Sequence, residues 1–174
     1  MTLISCYDNL EMKSELITRD SEVIGLILST KGRYGLKMMF ELAKKHGNGT
    51  MSLKDIAKNQ ELSETYLEQL ISHLRKAGLV NSIRGAQGGY ELSKTPSEIT
   101  VGEIIRTLEG PLAPSDCVVD NEPECTKAGY CVTRPIWERI MESINSVIDS
   151  ITLQDMINDF QKLILTKEGE NERE

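Results

Sequence analysis

Aromatic residues are scarce in this chain: its 174 residues include two Phe, one Trp and five Tyr, 5% in all. Any core built from it must therefore be mostly aliphatic. His46 and His73 are the only histidines, and a surface or core-edge place is expected for both rather than metal ligation. No apolar run approaches the roughly 20 residues of a membrane span, and no basic start followed by an apolar stretch marks a signal peptide. Positive charge is not in excess either: 20 Lys and Arg face 27 Asp and Glu, a net charge of −7. Taken whole, that balance opposes binding to nucleic acid or to an anionic membrane surface, because phosphate must be met by cations. There is no convergent acid–base set and no nucleotide loop, so an enzyme is not expected. Gly85, Gly88 and Gly89 resemble a phosphate loop only superficially, since no helix directly follows them.

The charge is unevenly placed. Residues 1–27 hold 2 basic and 5 acidic side chains, residues 28–100 hold 11 and 7, and residues 101–174 hold 7 and 15. Acidic flanks thus mask a basic middle, and the objection to DNA weakens. The other proportions, 39% hydrophobic and 27% charged, suit an ordinary soluble globular protein. The length suits one domain, or one small domain with an extension. Of the four cysteines, Cys117, Cys125 and Cys131 fall within 15 residues while Cys6 is remote and read as incidental. Without a signal peptide, a cytoplasmic and reducing setting is expected. There, clustered thiols bind metal or do redox chemistry more often than they form structural disulfides.

Along the chain, residues 1–27 are polar and acidic and are expected to be a disordered tail or an upstream extension of the coding sequence. Leu36, Met39, Phe40 and Ala43 form a helical stripe over 30–46. Ser52 with Asp55 reads as a capping box for a short second helix, and Ser63 as the cap of a third helix reaching about Ala77. Two strand-like pieces, 79–83 and 90–92, flank the Gly-rich basic loop 84–89 and read as a β-hairpin. The expected fold is mainly α with a small β wing. A winged helix-turn-helix occupies 28–100, and a cysteine loop and dimerisation helices occupy 101–166. Residues 167–174 are expected to be a disordered tail. Thr100 with Glu103, and Thr152 with Asp155, are further capping pairs. Residues 111–133 have no periodicity and contain three cysteines; a loop of that length is usually functional or disordered. Beyond it, Ile136, Ile140, Ile144, Val147, Ile148 and Ile151 form an apolar stripe, first of all a core face but long enough for a subunit-pairing helix.

Two constellations carry chemistry. In a helix-turn-helix the second helix enters the major groove with its N-terminal side chains on base edges. Ser63, Thr65, Tyr66 and Gln69 supply those side chains, with Arg84 of the wing for a groove and Lys31, Arg33 and Lys54 for phosphates. A carboxylate near DNA is repulsive unless it accepts from a cytosine amino group, which makes Glu68 a candidate specificity filter. The bland alternative is a winged helix used for protein contacts. The second constellation is Cys117-x7-Cys125-x5-Cys131. Neither gap fits the two-to-four-residue pairs usual for zinc, whereas wide spacing in a flexible loop suits an iron–sulfur cluster. A redox thiol and zinc stay open. Asp116, Asp120, Glu122 and Glu124 lie nearby without an evident fourth ligand.

Three segments carry a family resemblance: Ser29-Thr30-Lys31-Gly32-Arg33-Tyr34, Tyr66-Leu67-Glu68-Gln69-Leu70, and Arg84-Gly85-x-x-Gly88-Gly89-Tyr90. In this order, and continuing through 131–137 and 151–153, they resemble the Rrf2 family of winged-helix regulators and within it the IscR-like members. The resemblance covers about residues 28–160. It implies a cytoplasmic homodimeric transcription factor on palindromic double-stranded promoter DNA. Cys117, Cys125 and Cys131 would bind an iron–sulfur cluster, with 2Fe–2S the favoured type, and cluster occupancy would change which promoters are bound. The family's residue at the position of Glu68 is linked to that choice of site. Other members act in cysteine metabolism, which keeps a cluster-free thiol regulator and a partner enzyme of cysteine or cluster biosynthesis in view. A zinc-containing protein-interaction winged helix is the remaining alternative. Enterobacterial IscR-like members place a His three residues after the last Cys, where this chain has Arg134. Nitric oxide sensors of the family can use an Asp where it has Arg33.

Overall fold

Helix formation follows the caps that the sequence supplies. The computed structural model describes residues 28–85, 88–119 and 125–171. The expectations for residues 1–27, Cys6, Asp120, Glu122 and Glu124 lie outside these. The Ser29 hydroxyl accepts from the Lys31 N–H at 3.0 Å and opens helix α1, Thr30–Lys45. Ser52 accepts from the Asp55 N–H at 3.1 Å and opens α2, Leu53–Gln60. Each cap satisfies an amide of the first turn that has no intrahelical partner. Helix α3, Glu64–Lys76, follows Ser63, but that hydroxyl makes no capping hydrogen bond, so the cap read for it is not realised. Between α2 and α3 the chain reverses at Glu61, φ 54°, the one non-glycine residue at positive φ among the described residues. This is the tight turn of a helix-turn-helix pair.

Strands β1, Val80–Ile83, and β2, Gly89–Leu92, pair antiparallel with Val80 opposite Leu92 and Ile83 opposite Gly89. Met51 and Tyr90 exchange both backbone hydrogen bonds, at 2.9 and 2.8 Å, which ties this wing to the segment before α2. A Cβ at Gly89 would lie 2.6 Å from the Met51 carbonyl oxygen, so only glycine permits the approach. A 3₁₀ turn at Pro96–Glu98, closed by a reciprocal Thr95–Glu98 cap, precedes helix α4, Val101–Glu109, which opens on the Thr100–Glu103 capping box. Among the described residues of 111–133 there are two short 3₁₀ turns, Asp116–Val118 and Ala128–Tyr130. Helices α5, Arg134–Ser150, and α6, Leu153–Asn171, complete the chain. The tail read as disordered from residue 167 differs here. The α6 backbone stays helical to Asn171, in keeping with the good helix propensity of the Lys and Glu around Gly169. Val101 N–H bonds Ile151 O at 2.8 Å and Leu153 N–H bonds Ile99 O at 3.0 Å, fastening the start of α4 to the α5–α6 junction.

The core is aliphatic, as the shortage of aromatics requires. Met38, Met39 and Leu42 of α1, Ile56, Leu67, Leu74, Ile99, Ile104 and Leu153 are all fully buried. Full burial of such a side chain contributes roughly 1.5–3 kcal/mol. Phe40 stays at the edge, edge-on to Phe160 of α6 with ring centroids 5.5 Å apart. The Lys44 ammonium lies 5.2 and 5.3 Å from the two rings.

One charge lies inside. Glu41 of α1 is 1% exposed. Its carboxylate accepts from Asn59 Nδ2 at 3.0 Å and Gln60 Nε2 at 2.6 Å, and it pairs with Lys44 Nζ at 2.7 Å. Burial pushes its pKa up. The donors from Lys44, Asn59 and Gln60 outweigh burial together and hold it below the usual carboxylate value. A folded-state pKa below the unfolded one means that the unfolded chain takes up the proton first. The stabilisation is therefore full above the ordinary carboxylate pKa and is lost as pH falls through the folded value. Replacing Glu41 with Gln turns an acceptor toward its donors into a donor and should cost about 1–3 kcal/mol at neutral pH. Urea unfolding from pH 7 down to pH 3 should show the gap between wild type and Glu41→Gln closing toward the acid end. A gap independent of pH would remove the ionised carboxylate from the account.

Candidate functional site

Helix α3 presents a polar face. Ser63, Glu64, Thr65, Glu68 and Gln69 are exposed, while Leu67, Leu70, Ile71 and Leu74 are buried on the other side. Thr65, Glu68 and Gln69 fall at helical spacing on one stripe, as residues reading base edges must. Lys31 and Arg33 are exposed on the first turn of α1, Lys54 on the first turn of α2, and Arg84 at the tip of β1. Tyr66 behaves differently from its neighbours. It is half-buried, its hydroxyl lies 3.2 Å from Thr30 Oγ1, and its ring meets Tyr34 edge-on at 5.9 Å. The side chain turns back onto α1 and braces α3 against it. The Arg33 guanidinium lies 6.0 Å from the Tyr34 ring on the same side.

Helix α5 has no buried residue over its 17 positions. Ile136, Val147 and Ile151 are 52%, 58% and 37% exposed, and Ile140, Ile144 and Ile148 are half-exposed. Ile136, Arg139, Ile140, Ser143 and Ile144 line an open, mostly apolar groove. The stripe read from the sequence is thus a continuous exposed face. α5 meets the rest of the chain elsewhere on its circumference: Arg106 of α4 donates to Asn145 Oδ1 at 3.0 Å and pairs with Asp149.

The cysteine segment connects α4 to α5. Cys117, Cys125 and Cys131 are free thiols; Cys117 and Cys131 are half-buried and Cys125 is exposed. Cys117 Sγ lies 3.3 Å from Ser115 Oγ. Cys131 Sγ lies 3.3 Å from Thr133 Oγ1, just before α5. The Thr133 hydroxyl, then the backbone N–H groups of Thr133 and Arg134, hold the Cys131 thiol below its ordinary pKa. Among the described residues no three His, Cys, Asp or Glu side chains are gathered closely enough to hold a metal ion. In donor chemistry the three thiols fit an iron–sulfur cluster, because thiolate is the form that ligates iron. Arg134 bonds Glu138 at 2.9 Å.

Sequence reasoning missed the residues that hold this surface in place. Thr30 supports Tyr66. Glu109, the last residue of α4, accepts from Ser29 Oγ at 2.7 Å and from the Gly32 N–H at 2.8 Å. No local pattern announces these contacts, since residues 29 and 109 meet only in the folded chain. Among the described residues no helix is long and apolar enough to cross a membrane.

Comparison with known proteins bears on the same residues. Residues 28–159 match the family model Rrf2, described as an iron-dependent transcriptional regulator. The chain is 55% identical over 129 residues to the HTH-type transcriptional regulator CymR of Bacillus subtilis (strain 168), covering 74% of this chain and 88% of that protein. The solved structure of that CymR, described as the global cysteine regulator, gives a TM-score of 0.64 over 76% of this chain and 96% of its own. The structure of T. potens IscR gives 0.66 at 50% identity, over 80% of this chain and 91% of its own. The HTH-type transcriptional regulator IscR of Serratia proteamaculans (strain 568) is 36% identical over 145 residues, 83% of this chain and 87% of that one. The mostly helical architecture with its two-stranded wing is the one these structures share.

The Cys131 environment makes a measurable prediction. In metal-free protein its alkylation by iodoacetamide should persist to lower pH than an ordinary thiol allows, because thiolate is the nucleophile. Thr133→Val removes one donor and should shift the midpoint of that profile upward, read by peptide mass spectrometry. An unchanged midpoint would refute the assignment.

Proposed function

This chain belongs to the Rrf2 family of transcriptional regulators, and from that membership we propose a homodimeric DNA-binding regulator in the cytoplasm that senses iron–sulfur status through Cys117, Cys125 and Cys131. One observation carries the reading. The three free thiols sit on the segment that joins α4, packed on the DNA-reading head, to α5, whose apolar face is exposed. A cluster bound there would supply an iron–thiolate core that is gained, lost or oxidised with iron and redox conditions. Drawing those thiols together reshapes residues 111–133 between two helices of different duty. Linkage then requires DNA binding to alter cluster affinity in return. The apolar face of α5 pairs two copies, so that two α3 helices address half-sites about 34 Å apart.

On DNA, Ser63, Thr65, Glu68 and Gln69 face the major groove. Lys31, Arg33 and Lys54 meet phosphates, and Arg84 enters a groove from the wing. Glu68 filters sites by accepting only where a cytosine amino group is offered. Tyr66 contributes from behind, through its brace on α1.

A second reading has its own support. The 55% identity to a protein described as the global cysteine regulator supports a cluster-free thiol switch in cysteine metabolism. The two readings part on one measurement. After anaerobic purification and reconstitution, the cluster reading expects iron, acid-labile sulfide and a visible chromophore, each reduced in Cys117→Ala, Cys125→Ala and Cys131→Ala. A colourless, iron-free protein whose DNA affinity changes on thiol oxidation, with the matching mass shift, would replace it with the thiol switch. For the DNA surface, Glu68→Ala should broaden the preference recovered from a randomised site library. Arg84→Ala should weaken binding and lower the slope of log K against log[salt] by about 2, one cation from each copy of the dimer. Unchanged library preference or unchanged slope would sink the respective assignment.

A further inference from the structure

The last turn of helix α4 is bonded to two different parts of the molecule. Toward its C-terminus, Glu109 Oε1 takes hydrogen bonds from both Ser29 Oγ and the Gly32 N–H, at 2.7 and 2.8 Å. Ser29 is also the residue that caps α1 through the Lys31 N–H. The carboxylate therefore fixes the first turn of α1 through these two hydrogen bonds. The approach of the two helices is close. A Cβ on Gly32 would lie 2.7 Å from Glu109 Oε1, and one on Gly35 would run into Leu108. The same turn of α1 carries Lys31 and Arg33, and Thr30 of that turn holds Tyr66 of α3. One helical turn earlier on α4, Arg106 bonds Asn145 and Asp149 of α5, and a Cβ on Gly102 would collide with Asp149.

We propose that Glu109 is a positioning residue for DNA binding, which with Arg106 makes α4 a rigid spacer between the dimer helix and the DNA-reading turn of α1. Glu109 touches no DNA. It sets where each reading head stands relative to α5, and therefore the separation of the two heads in a dimer. This rests on the proposed dimeric, DNA-binding reading. The effect belongs to half-site spacing rather than to contact with one half-site.

The test uses the full chain and the palindrome that wild type selects from a randomised library. Affinity is measured on that site, on versions with one base pair added or removed between the half-sites, and on a duplex with one half-site scrambled. In Glu109→Ala, the preference for native over altered spacing should fall about tenfold, within the range usual for coupling between sites. The scrambled-half-site duplex should bind nearly as in wild type. Glu109→Gln keeps an oxygen to accept both bonds and should retain the preference. Arg106→Ala, which cuts the link on the α5 side, should reproduce the loss and serves where Glu109→Ala does not fold. An intact spacing preference in the Ala variants overturns the proposal. So does equal weakening on both kinds of duplex, which marks mere structural damage, or a Gln variant as defective as Ala, which marks a charge effect. If wild type selects no DNA, it is the parent reading that fails.

Discussion

Glu41 is a carboxylate that the core must accommodate, and the geometry of the reading head follows from how it is satisfied. An ionised group taken out of water costs several kcal/mol unless its hydrogen bonds are replaced. Here Lys44 supplies one partner from α1 itself, and Asn59 and Gln60 supply the others from the last turn of α2. The end of α2 is therefore held against the middle of α1. That fixes where the chain reverses at Glu61 and where α3 begins. Lys44 carries the constraint outward, since its ammonium also stands beside Phe40 and Phe160 and so joins α6 to the same point. Apolar burial would press these helices together at many angles; the carboxylate with its directional donors selects one.

The opposite situation holds at α5. Among the described residues no side chain of α5 is fully buried, although each α-helix that precedes it contributes to the core. A stripe of Ile and Val left in water is the mark of a surface meant to be covered. Regulators of this family commonly act as dimers, and in the proposed dimer two copies of this face would cover one another. The acidic flanks then gain a reason. Residues 101–174 carry the excess of Asp and Glu, which in the proposed complex would keep the pairing half off the phosphates and leave the basic residues of 28–100 to meet DNA.

What the sequence made legible was local. Ser52, Thr100 and Thr152 lie a fixed few residues from the amides or carboxylates they serve, so their caps could be read directly, as could the helical stripes and the hairpin. What stayed hidden depends on pairs distant in the chain. The role of Asn59 and Gln60 is one such case, because their partner Glu41 lies on another helix. Gly32 and Gly35 read as ordinary motif and helix positions, although their lack of a side chain is what lets α4 lie so close. Tyr66 shows the limit of periodicity. It stands at the boundary between the buried and polar faces of α3, where spacing permits either orientation. The Thr30 hydroxyl and the Tyr34 ring decide for the inward one.

The cysteine loop shows why relatives with different chemistry can share this scaffold. A thiolate at the start of α5, stabilised by Thr133 and the amides beside it, is useful both to an iron ligand and to a redox switch. Three thiols that are free and not gathered are likewise open to either. The mechanical consequence is the same in both cases, because the loop is bounded by Gly110 at the end of α4 and by Thr133 before α5. Whatever draws the thiols together pulls on the same two helices. One of them is bonded through Glu109 to the turn that carries Lys31 and Arg33. In the proposed regulator, α4 with its bonds at Glu109 and Arg106 would carry a change in the loop to the reading head, whatever the loop's ligand.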